Sequence, residues 1–90
     1  MIRNLYIMYD RVAEEGGPLF EAINDGIANR AYQQFLGKNQ SQDKYFDPLD
    51  FMLIKVGQID KTTNIITPQQ PEEIKIKLSL LEDETDARSV

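Results

Sequence analysis

The sequence contains no cysteine and no histidine. Without cysteine there is no disulfide, no thiolate metal site and no cysteine nucleophile. Without histidine the chain lacks the commonest catalytic base at neutral pH and the commonest metal ligand. A serine–histidine–acid triad cannot be assembled. The longest apolar run is the short stretch FMLI (residues 51–54), far below the length of a membrane span. The opening residues MIRNLYIMYDRVAEE hold no apolar core of the kind a secretory signal carries. The expectation is a soluble intracellular protein that does not engage a membrane.

What is present is one small domain. Ninety residues bury only a modest core, and chains of this size gain from oligomerisation. The net charge of −5 is unevenly placed: residues 1–81 hold nine basic and eleven acidic side chains, while residues 82–90 hold four acids and one arginine. The expected organisation is a single domain over 1–81 and an acidic flexible tail over 82–90. So balanced a domain lacks the broad basic footprint that duplex DNA requires, but leaves room for a local basic patch.

Residues 4–10, NLYIMYD, alternate as a strand with apolar side chains on both faces. Gly16, Gly17 and Pro18 are turn formers, and residues 18–23 suit a short second strand. A helix follows, capped by Asn24 or Asp25, with Ile27, Ala31 and Phe35 as its inward stripe and Gly37 ending it. Asn29, Arg30 and Gln33 fall off that stripe. Asp47 to Asp50 make a turn with Pro48 in first position. Phe51 to Asp60 form the strongest strand, with Met52, Ile54 and Val56 on one face and Phe51, Leu53 and Ile59 on the other. Gly57 marks a bulge or a close backbone approach. Residues 60–64, DKTTN, are hairpin chemistry leading into a strand from Ile65. Gln69, Gln70 and two prolines then read as a connector. From Glu73 to Glu82 the pattern alternates, with Ile74, Ile76, Leu78 and Leu80 inward and Lys75 and Lys77 outward. The sum is an α+β fold: a small antiparallel-rich sheet of four to five strands with one helix packed across it.

The carboxylates Asp10, Asp25, Asp47, Asp50 and Asp60 all stand at ends of elements, where each serves as a cap or turn former. No spacing matches a metal loop, and no catalytic residue, metal site or cofactor is expected. Single-stranded nucleic acid is bound by aromatics that stack bases and by cations that track phosphates. Tyr6, Tyr9, Tyr32, Tyr45 and Phe46 are the candidates to stack, although a core this small needs at least half of them. Arg3, Arg11, Arg30, Lys38 and Lys44 are the candidates to pair with phosphate. The segment carrying Ile74, Ile76, Leu78 and Leu80 is a candidate for self-association by strand pairing, its bland alternative being an edge strand guarded by lysines.

The order of short motifs resembles that of the small nonstructural protein of gokushovirus-type Microviridae, the single-stranded DNA phages. The matching residues are YIMYD (6–10 ending the first strand), PLF (18–20), then Asn24, Asp25, Ala28, Arg30 and Tyr32, then Pro48, Asp50 and Phe51, and GQID (57–60). Gln58 departs from the pattern, where an acid is common, and KTTN replaces a glycine-containing turn. The resemblance covers about residues 4 to 68. It implies a non-enzymatic accessory protein in the host bacterial cytoplasm, acting in viral replication or packaging. The partner it implies is single-stranded DNA. The alternating segment at 73–81, the acidic tail and the small core point instead to an alternative, an oligomeric module that engages a phage or host replication protein.

Overall fold

The computed structural model describes residues 1–75. Four strands form one antiparallel sheet in the order β2-β1-β3-β4, with strands β1 (Ile2–Asp10), β2 (Glu15–Ala22), β3 (Phe51–Asp60) and β4 (Ile65–Glu73). Helix α1 (Asp25–Gln42) lies across one face, and a single 3-10 turn, Pro48–Asp50, leads into β3. This is the expected α+β architecture. Helix α1 and the short turn are inserted between β2 and β3, so the chain returns to pair β3 directly with β1 along its whole length.

Both hairpins turn by the same device. Asp10 accepts from the amides of Val12 and Ala13, and Asp60 accepts from that of Thr62. Each four-residue turn ends in a left-handed residue, Glu14 (φ 58°) and Asn64 (φ 64°). Asparagine tolerates that conformation better than glutamate does. The turn therefore sits at residues 11–14, and Gly16, Gly17 and Pro18 belong to β2 itself. There the register shifts between Ile7 and Tyr9, and a Cβ on Gly17 would meet the Met8 carbonyl oxygen at 2.7 Å. The glycine admits the bulge, and the proline is tolerated because β2 is an edge. By the same logic Pro68 and Pro71, expected in a connector, lie within the other edge strand, β4.

A second bulge at Val56 alters the sheet more deeply. Tyr6 pairs with Lys55 but Leu5 pairs with Gly57. The extra residue moves Ile59 from the face of Phe51 and Leu53 to the face of Met52 and Ile54. Gly57 also approaches β4 closely, since a Cβ there would fall 2.5 Å from the Thr67 carbonyl oxygen.

The helix-side core consists of Tyr6, Met8, Ala22, Ala28, Tyr32, Leu36, Leu53 and Ile74, with Phe20, Phe35, Phe46 and Phe51 packed against it. Its helix stripe is Ala28, Tyr32 and Leu36, one position later than the sequence pattern suggests, and Ile27 remains 41% exposed. Helix α1 also runs through Gly37 to Gln42, where the Asp43 amide donates to the Asn39 carbonyl. Ile74 is thus spent inside the core, with its amide donating to the Leu53 carbonyl. Ile76, Leu78, Leu80 and the acidic tail lie outside the described residues.

Gly57→Ala is expected to destabilise the protein by about 1–3 kcal/mol, because the added methyl must push backbone rather than a flexible side chain. Urea denaturation measures it; a change within error of zero would contradict the close approach of β3 and β4.

Candidate nucleic-acid interface

The rotation of helix α1 decides which side chains reach solvent. Asn24 caps it, its Oδ1 accepting from the Ile27 amide at 2.9 Å. The Tyr6 hydroxyl donates to Asp25 Oδ1 at 2.6 Å and accepts from Asn4 Nδ2 at 3.0 Å. Asn4 Oδ1 in turn accepts from Gln58 on β3 at 3.4 Å. The first turn of the helix is thereby tied to the central strands. Residues two apart on a helix are separated by roughly 200° around its axis. With Ala28 and Leu36 facing the core, Arg30 and Lys38 therefore point away from it.

Arg30, Gln34 and Lys38 are all exposed and recur at every fourth position. Between Gly26 and Gln42 the helix carries these two cations and no acid. Among the described residues neither Arg30 nor Lys38 has an ion-pair partner, so neither Asp25 nor Asp50 neutralises Arg30. Gln33 is half-buried and donates to Asn29 at 3.4 Å, so Gln34 and not Gln33 joins the outer row.

Beyond the helix the chain turns through residues 43–47. Asp43 Oδ1 accepts from the Tyr45 amide and the Asp43 carbonyl from the Phe46 amide. Phe46 stacks on Phe51 at 5.1 Å and meets Phe35 edge-on at 6.4 Å, and Phe35 meets Phe51 edge-on at 5.7 Å. This trio anchors the turn beneath the helix. Tyr45 is left 83% exposed, with Lys44 Nζ 5.2 Å from its ring centroid.

The other candidates are dispersed. Tyr32 is 1% exposed in the core and offers no face to a base. Tyr6 is fully buried, and Phe46 is held by its ring partners. Arg11 leaves the first hairpin beside Glu73, 3.8 Å from its carboxylate, at the rim of a groove of about 390 Å³ that also borders Leu36, Phe51 and Ile74. Arg3 is half-buried on β1 and stands on the sheet face opposite the helix, in register with Ile59. The structure thus brings Arg30 and Lys38 together on one helix face, with Lys44 and Tyr45 just past its end in sequence. Arg3 and Arg11 belong to other surfaces.

Asp10, Asp47 and Asp60 are engaged with the backbone of their own turns. Hydrogen bonds from the Thr62 and Thr63 backbone, with the nearby N-terminal charge, hold the Asp60 carboxyl below its ordinary range. Asp25 departs from the expected local role, since its partner is Tyr6, nineteen residues away. Among the described residues no cluster of three or more acids could hold a metal ion, and no helix is long and apolar enough to cross a membrane.

The Phage ORF5 protein family matches residues 3–80. The chain belongs to that family, and it is a phage protein. No curated protein and no solved structure matches this ORF5-family chain. The family assignment agrees with the phage origin implied by the motif order.

Burial pushes two hydroxyls of this ORF5-family protein up to about 12, those of Tyr6 and Tyr32; for Tyr6 the Asp25 carboxylate adds to the effect. A phenol whose folded pKa exceeds its unfolded value of about 10 stabilises the fold fully below that value. That contribution is lost as pH rises through 12. Stability is therefore expected to fall between pH 10 and 12, and a titration of tyrosinate absorbance should show a step near pH 12 that shrinks in Tyr6→Phe. A titration complete by pH 11 would contradict the burial of both rings. Tyr6→Phe should also cost about 1.5–2 kcal/mol in urea denaturation, the low end for a hydrogen bond to a charged group, because Asp25 is exposed.

Proposed function

We propose that the protein is a non-enzymatic accessory protein of a Microviridae-type single-stranded DNA phage, acting in genome replication or packaging in the host cytoplasm. It does so by weak contacts with single-stranded DNA along the outer face of helix α1. The observation that carries this reading is the acid-free row of Arg30, Gln34 and Lys38, followed by Lys44 and the exposed ring of Tyr45. Arg30 and Lys38 are about 12 Å apart along the helix axis, a span suited to tracking a backbone. Tyr45 supplies a π-face for a base, the sequence-tolerant contact that single-strand binders use. Three cations give a modest affinity.

The alternative is an oligomeric module that engages a phage or host replication protein through residues 73–81 or the acidic tail. Support for it is weaker, because Ile74 already fills the core. The absence of histidine and cysteine favours a binding role over catalysis.

Fluorescence anisotropy of labelled oligo-dT tests the proposal. With three phosphate contacts, affinity should fall about tenfold to twentyfold between roughly 50 and 200 mM salt. The double variant Arg30→Ala/Lys38→Ala should lose most of the binding and flatten that dependence, while Arg3→Ala should not. Absent binding at low salt, or a double variant that binds like the parent, would overturn it.

A further inference from the structure

The sheet has a second apolar face, which no described element covers. Tyr6, Met8, Phe20, Ala22, Phe51 and Leu53 point to the helix. Their alternates point the other way: Leu5, Ile7 and Tyr9 on β1, Leu19 on β2, Met52, Ile54 and Ile59 on β3, and Ile66 on β4, matched across the strands by register. Two observations support this division. Leu5 is buried yet stands outside the helix-side core. A Cβ on Gly16 would meet Ile7 Cγ2 at 3.3 Å, although Gly16 is far from the helix.

We propose that this face is the contact surface of a homodimer, in which two sheets pack face to face about a two-fold axis. It rests on the sheet and not on the DNA-binding reading. Four strands about 4.8 Å apart, with nine residues of about 3.3 Å each, offer roughly 19 by 30 Å. Two such faces bury about 1,200 Å² together, the lower end of a stable specific interface. The composition fits a second copy. The centre is aliphatic, while the charged residues in register with this face, Arg3, Glu21 and Glu73, fall toward strand ends or on the edge strands. An aliphatic centre meets its own kind without unpaired charge, whereas a nucleic acid would find one tyrosine and little to hold phosphate. Ile74, the last apolar residue described, is taken up by the helix-side core and not by this face. Sheet-to-sheet packing of this type leaves about 10 Å between the layers, which Leu5, Ile7, Leu19, Ile54 and Ile66 would fill. Both helices then face outward, so the dimer presents two copies of the cationic row.

Sedimentation equilibrium of the full chain at micromolar concentrations is the test. The wild type should sediment at twice its 10.4 kDa mass. Leu19 and Ile66 are already 62% and 58% exposed in one copy, so lysine there leaves the subunit folded, as circular dichroism and thermal melting would verify. Leu19→Lys and Ile66→Lys should each weaken dimerisation by about tenfold or more, because a lysine must then be desolvated. Val12→Lys, in the exposed first hairpin turn, should not. A monomeric wild type would overturn the proposal, as would a dimer that tolerates both substitutions and is lost only on deletion of residues 76–90. A monomer that loses oligo-dT binding in Leu19→Lys would reassign the face to nucleic acid and overturn it equally.

Discussion

A buried phenol with a charged acceptor sets the geometry on which the rest depends. The Tyr6 ring is wholly enclosed and stacks on Phe20 at 5.6 Å, so its hydroxyl must find a partner within the protein. Asp25 provides it from the first turn of helix α1, where a carboxylate is also favoured by the helix dipole. Leaving the hydroxyl unpaired would cost about 1–3 kcal/mol, a large share of the stability of so small a domain. The tie fixes both the position and the rotation of the helix. Had Ile27, Ala31 and Phe35 formed the inward stripe, Arg30 would have stood beside the sheet. With Ala28, Tyr32 and Leu36 inward, it points to solvent with Lys38.

The acidic side chains complement this arrangement. Several are spent on backbone amides at turns, which keeps them local. Others lie on the edge strands, as Glu21 does with Lys61 and Glu73 with Arg11. Among the described residues the helix face is left free of them, and a chain with net charge −5 still offers a row of cations. The aromatic residues divide in the same way. Phe35, Phe46 and Phe51 lock the turn after the helix, and that lock holds Tyr45 outward.

Much of this was legible in the sequence because it is local. The bounds of β3, the hairpin at 60–64, the cap at Asn24 and the turn at Pro48 follow from residue types at short spacing. What escaped depends on distant partners. The one-position shift of the helix stripe goes with the Tyr6–Asp25 bond and with the burial of Tyr32 and Leu36, tertiary contacts that no periodicity encodes. Gly37 does not end the helix, because the next five residues continue it on an exposed face. Ile59 changed faces because a bulge at Val56 resets the alternation, and Gly57 was the visible hint of it. Tyr32 was a stacking candidate by residue type alone, yet tertiary packing claims it. Arg30, Lys38 and Lys44 were legible as cations, but their separation from Arg3 and Arg11 needed the fold.

In the proposed reading the two sides of the molecule have different duties: an outer helix face for a nucleic-acid strand, and the sheet face that no described element covers for a second copy. Amide chemical-shift mapping during titration with oligo-dT tests that division most directly. Shifts are expected to concentrate at Arg30, Gln34, Lys38, Lys44 and Tyr45 and to spare Ile7, Leu19, Ile54 and Ile66. Shifts concentrated on the sheet residues, with the helix unmoved, would contradict it.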